Sequence, residues 1–193
     1  MKAEGKTHLK LRDCEYRVEK GDLDCYGRFL LDKPTKISGQ GCGMTTLVEF
    51  GLEIRGKKSE GIVEIEDLTI KGAKGNGLWA KFGMKVIMRG CTIEECGGSG
   101  VYATNADITC DDLQVIGCGW SGVCAYNNDT ITLSGQGTSI QGNGTKGNRY
   151  SYGLNAHFSA TILFVHPLTK EQISTNNGGG RNWIKRTRRS KLV

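Results

Sequence analysis

Between residues 63 and 156 apolar and polar residues alternate in short runs, and the runs recur. Val63 and Ile65, Leu68 and Ile70, then Leu78 and Ala80 make up one set. Val86 and Met88, Cys91 and Ile93, Val101 and Ala103 repeat it, as do Ile108 and Cys110, Leu113 and Val115, Val123 and Ala125. The sets begin 23 and then 22 residues apart, and Ile131 follows 23 residues later. Alternation with period two turns one face of an extended segment inward and the other outward, so each set predicts three short strands separated by turns.

A constant period of this length marks a solenoid. Superposed, the sets put like on like: Val63 under Val86, Ile108 and Ile131; Ala80 under Ala103, Ala125 and Ala156. Strands stacked in that register would hydrogen-bond at the ordinary spacing of about 4.8 Å. The expected fold is all-β, a single-stranded right-handed parallel β-helix of about six to seven coils with 22–23 residues per coil. The unit Gly-Val-x-Ala after a glycine-rich turn, with Val-x-Ile-x-x-Leu-x-Ile before it, resembles the repeat of the pectate-lyase-like superfamily. That resemblance implies the fold, and it implies carbohydrate-active enzymes as one class of function. Folds of this kind also host adhesins and viral fibres, so activity has to be argued from the site.

The pattern divides the chain into residues 1–34, an N-terminal strand and cap; 35–168, the β-helix; and 169–193, an extension with a basic tail. From Ile131 to Ile162 the spacing grows to 31 residues, and the excess falls in Gln141–Tyr152. Insertions in repeat proteins map to loops on one face, often the binding face.

If Leu78, Ala80 and their equivalents point inward, their alternates point outward. Trp79, Tyr102, Cys124 and Asn155 form one such row, with Lys81, Thr104, Tyr126 and His157 beside it. Exposed rings can stack on sugar faces, and Lys81, His157 and the loop's Arg149 can bind carboxylates or hydroxyls. The candidate binding residues are Trp79, Tyr102, Tyr126, Asn155, His157, Lys81, Arg149 and Tyr150, with His157 and Lys81 as the weak candidates for catalysis. Aromatic residues also favour sheet surfaces for packing reasons alone.

Asp111-Asp112 resembles the adjacent aspartates of polygalacturonase-type hydrolases, but no Gly-His-Gly accompanies it. The pair falls in a turn away from the aromatic row, where Glu66, Arg89 and Asp111 read as a charge ladder across stacked turns. A calcium-assisted lyase needs clustered carboxylates, and the four predicted strands of the aromatic face carry none. Asn105 and Asn127 share a column and read as a structural ladder of turn amides.

Charge and cysteine change this picture little. The net charge is +6, and six cations lie in the last thirteen residues: Arg181, Lys185, Arg186, Arg188, Arg189 and Lys191. The other residues balance at 20 basic against 20 acidic. A basic tail with Trp183 suits an anionic surface, a docking partner or nucleic acid. Of the eight cysteines, Cys91, Cys96, Cys110 and Cys118 fall on core rows. Cys96 and Cys118, on one rung of adjacent coils, are spaced for a disulfide but read as small core residues. No zinc spacing occurs, so neither metal nor cofactor is expected.

No apolar run approaches the roughly 20 residues of a membrane span, and residues 1–8 lack the apolar core of a signal peptide. An intracellular or virion location is expected. The function expected is a non-catalytic β-helix module that presents a flat aromatic and polar face to a protein assembly or a glycan, in a virion, fibre or surface layer. A homotrimer is one way such a coil covers its sides. The alternative is a polysaccharide lyase, hydrolase or epimerase acting on acidic polysaccharide.

Overall fold

The computed structural model describes residues 7–12, 14–17, 23, 27–185 and 189–193. The chain winds through three parallel sheets in strict rotation. Among the described residues the first sheet has eight strands and the second and third have seven each, each strand pairing with its equivalents in the adjacent coils. This is a right-handed parallel β-helix of seven full coils.

The register matches the sequence repeat residue for residue. Val63, Val86, Ile108 and Ile131 are paired partners in the first sheet. Ile70, Ile93, Val115 and Ile140 pair in the second. Ala80, Ala103, Ala125 and Ala156 pair in the third. All twelve are at most 1% exposed. They form one continuous apolar column, whose removal from water is the main force holding the coils together.

Residues at positive φ turn the corners in columns. Asp67, Gly90, Asp112 and Gly135 turn the corner after the first sheet, and Phe82, Asn105, Asn127 and Phe158 the one after the third. L-residues pay for this conformation, and asparagine, aspartate and glycine pay least. Asp112 is therefore a corner residue, and its Oδ1 accepts the Gly137 N–H at 2.8 Å. Asn105 and Asn127 hold their column for the same reason. The buried amide ladder lies at another corner, where Asn143 donates from Nδ2 to Asn177 Oδ1 at 3.0 Å and accepts the Cys118 N–H at 3.0 Å.

A second column explains where the glycines sit. Gly77, Gly100 and Gly122 open successive third-sheet strands, and a Cβ on each would stand 2.2–2.4 Å from a methyl of Ile93, Val115 or Ile140 in the coil above. Only glycine lets the branched side chain of the next coil settle there.

Three expectations change. Thr7–Lys10, Glu15–Tyr16 and Arg28–Leu31 pair with the strands of the next coil, so the segment read as a cap is itself a first coil. Its alternation around Leu9 and Leu11 is that of a strand in register with Ile37. At the other end Arg181–Lys185 pairs with Tyr152–His157, and Lys191–Leu192 pairs with Thr161–Phe164. Trp183, paired with Leu154, stands on the inward row and packs against the core. It therefore closes the end of the column and is not presented for stacking on a base. Arg181, Lys185, Arg189 and Lys191 are exposed; Arg186 and Arg188 lie outside the described residues. The described cysteines are all free thiols, Cys96 and Cys118 included.

Candidate functional site

The alternation that buries Leu78 and Ala80 turns their neighbours outward on the third sheet. One outward row runs Glu53, Trp79, Tyr102, Cys124, Asn155, and the next runs Arg55, Lys81, Thr104, Tyr126, His157. The rows form a single face, but its two halves differ in chemistry.

The first half is charged. Glu53 is 1% exposed and is gripped by three cations. Arg28 Nη1 lies 2.7 Å from one carboxylate oxygen, Lys81 Nζ lies 2.5 Å from the other, and Arg55 donates to that same oxygen. Burial pushes the Glu53 carboxyl up, but hydrogen bonds from Lys81 and Arg55 and the charge of Arg28 outweigh it, leaving its pKa below the ordinary value. The Trp79 ring is pinned by the same cations, with the Arg28 guanidinium 4.5 Å and the Lys81 ammonium 4.2 Å from its centroid. Its indole N–H donates to Thr104 Oγ1 at 3.2 Å.

Beside this cluster is a hollow of about 590 Å³ to which Arg28, Arg55, Lys74, Lys81 and Lys146 all contribute. Its floor includes Gly97 and Gly98, where a Cβ would meet the backbone of the turn below within 3 Å. Close stacking of the turns thus demands glycine and leaves the floor bare. Among the described residues Lys74 and Lys146 have no ion-pair partner, so the hollow carries excess positive charge.

The second half is aromatic. Tyr102 and Tyr126 meet edge to face at 6.5 Å, and Tyr126 stacks on His157 at 5.2 Å. With Tyr150, Ser151 and Asn148 from the inserted loop they bound a cleft of about 260 Å³. Asn155 lies in it, 7% exposed, its Nδ2 3.5 Å from Ser121 Oγ and its Oδ1 without a hydrogen-bond partner among the described residues. Asn76 and Trp120 line both hollow and cleft, which are therefore adjacent.

Most of the expected binding residues thus fall on one face. Trp79 and Lys81 belong to the charged hollow, while Tyr102, Tyr126, Tyr150, Asn155 and His157 line the aromatic cleft. Arg149 lines neither; its guanidinium lies 4.8 Å from the Tyr150 ring and 2.6 Å from the phenol oxygen. Lys81 and His157 are three strand spacings apart on one row, roughly 14 Å, too far to share a reacting bond.

Sequence reasoning missed Glu53, Arg28, Arg55, Lys74, Lys146 and Trp120. Gly51-Leu-Glu-Ile-Arg55 has the same in-out order as Gly77-Leu-Trp-Ala-Lys81, and carrying the alternation one coil back would have found Glu53 and Arg55.

Away from this face, Glu66 pairs with Lys36 at 2.5 Å and Arg89 at 2.7 Å, the first part of the expected ladder. Asp111 instead accepts from Ser134 Oγ at 2.8 Å. Asp129, 3% exposed under the turn after Tyr126, accepts the Ala106 N–H at 2.8 Å. Burial pushes its carboxyl up to about 7, although backbone N–H bonds oppose the rise. No group of three or more His, Cys, Asp or Glu among the described residues could hold a metal ion. No helix among them is long and apolar enough to cross a membrane.

Coils in this rotation, with an outward groove on the third sheet, define a single-stranded right-handed parallel β-helix protein. Residues 50–164, more than half the chain, match the family model described as the right handed beta helix region, and the chain belongs to that family. The A-module of the Azotobacter vinelandii mannuronan C-5 epimerase AlgE6 is similar over 99% of this chain and 90% of that one, at 12% identity and a TM-score of 0.38. No curated protein matches the chain in sequence.

Proposed function

We propose that the protein is a glycan-binding β-helix module that takes an acidic polysaccharide along its third sheet without turning it over. The observation that carries this reading is the five cationic side chains gathered around one hollow, adjacent to a tyrosine-lined cleft on the same face. Cations supply charge-assisted bonds to carboxylates, and rings supply apolar area for sugar faces. Binding without turnover fits the separation of Lys81 from His157. It also fits Glu53, whose carboxylate is held ionised by three cations and has no proton to donate at neutral pH.

Affinity electrophoresis tests this directly. The protein should be retarded in a gel containing a polyuronate and not in one containing a neutral glucan. Equal mobility in both gels would defeat the proposal, and release of shortened or unsaturated products from the polyuronate would make the groove catalytic instead.

A further inference from the structure

The groove's two halves ask for different things from a ligand, and this extends the glycan-binding reading on which it rests. We infer that the protein reads a mixed saccharide in one direction, with an anionic residue in the charged hollow and an uncharged, hydroxyl-bearing residue in the adjoining cleft. A uniform polyanion fits only the first half.

Three observations carry the inference. The charge is segregated, since Arg28, Arg55, Lys74, Lys81 and Lys146 all line the hollow, while the described residues that line the cleft include no Lys, Arg, Asp or Glu. A carboxylate in the cleft would be desolvated against tyrosine rings, with no Lys or Arg among the described residues lining it to offset the cost. The second observation is Asn155. Its Oδ1 is a buried acceptor without a partner among the described residues, and Ser121, its neighbour at 3.5 Å, is itself only 3% exposed and already accepts the Tyr152 N–H at 3.1 Å. An orphaned buried acceptor is satisfied by a donor, and a sugar hydroxyl or acetamido N–H donates where an ionised carboxylate cannot.

The third is size and adjacency. At about 260 Å³ the cleft falls just below the range of drug-sized ligand pockets, which suits one ring. Trp120 and Asn76 stand at the boundary, so neighbouring residues of one chain occupy the two parts. Because the hollow lies toward the N-terminal coils and the cleft toward the C-terminal ones, the saccharide is held in one orientation only.

Isothermal titration with three tetrasaccharides tests this: a homo-oligouronate, a neutral gluco-oligosaccharide, and one alternating glucuronic acid with N-acetylglucosamine. The mixed ligand should bind at least tenfold tighter than either of the others. Asn155→Ala should weaken the mixed ligand about tenfold and leave the homo-oligouronate unchanged. Tyr150→Ala, an exposed loop substitution that leaves the coils intact, should do the same more weakly. Lys146→Gln should weaken both acidic ligands.

If the homo-oligouronate binds as tightly as the mixed ligand, and Asn155→Ala and Tyr150→Ala change neither, directional reading is wrong while acidic glycan binding stands. If none of the three binds, both readings fall.

Discussion

The molecule builds carboxylate and cation clusters on two of its sheets, and they come out differently. On the first sheet Glu66 sits between Lys36 and Arg89 with Glu64 nearby, two acids against two bases, all partly in water. On the third sheet one acid, Glu53, is removed from water and faces three bases, with Lys74 and Lys146 close by and unpaired among the described residues. The first cluster is self-neutralising and solvated, and pairs of that kind contribute little. The second carries positive charge that no acid among the described residues cancels. Charge counted over the whole sequence hides this contrast, because the excess is local and lies at one end of one face.

The sharpest way to break the contrast is to remove each acid in turn. Glu53→Ala strands the buried Arg28 beside Lys81 and should cost about 3–5 kcal/mol in urea unfolding. Glu66→Gln should cost under about 1 kcal/mol in the same measurement. Similar losses in the two variants would mean that burial does not separate the clusters.

Asp129 sharpens the comparison, being a buried carboxylate held by backbone N–H groups with no ion-pair partner among the described residues. The Glu53 carboxyl is held down in the folded state, so its contribution is present at neutral pH and lost as pH falls below the ordinary carboxylate range. For Asp129 the sign reverses. Its folded pKa of about 7 lies above the ordinary 3.8, so the folded state keeps a proton that the unfolded chain gives up. Stability from this group therefore declines as pH rises from about 4 to about 7, by no more than about 4 kcal/mol. Asp129→Asn keeps an oxygen for the Ala106 N–H and should abolish that decline; a slope unchanged across this window would rule the assignment out.

The smallest stability effect belongs to the unpaired cations. Lys74→Gln with Lys146→Gln should leave the unfolding free energy within about 0.5 kcal/mol of the parent, yet clearly reduce retardation in a polyuronate gel. Retained retardation would place the anion elsewhere on the surface.

How much of this the sequence discloses depends on how regularly each coil repeats. From Val63 to Ile131 the coils are nearly equal in length, and the stacked valine, isoleucine and alanine rows follow from alternation alone. The aromatic rows follow too, since outward is whatever inward is not. The preceding coil is lengthened by a 3₁₀ turn at Lys58–Glu60, which shifts Leu52 and Glu53 out of the simple period. For that reason the acid at the centre of the charged hollow escaped the reading. Trp183 was missed for another reason: its strand stands among basic residues, and composition there points to solvent while the register points inward. The division of the face into two parts has no one-dimensional signature, because Lys74, Trp120 and Lys146 come from turns and the inserted loop and meet only after winding.

The glycine column has one more consequence. Since each of Gly77, Gly100 and Gly122 is notched to receive a methyl from the coil above, adjacent windings interlock along the axis, and no partial winding can be added or dropped without leaving a notch empty or a methyl without a seat. Such a scaffold changes length by whole turns. A descendant with one more winding would lengthen its ligand track by a single strand spacing, so selection can tune the reach of the groove in discrete steps while the rest of the architecture stays put.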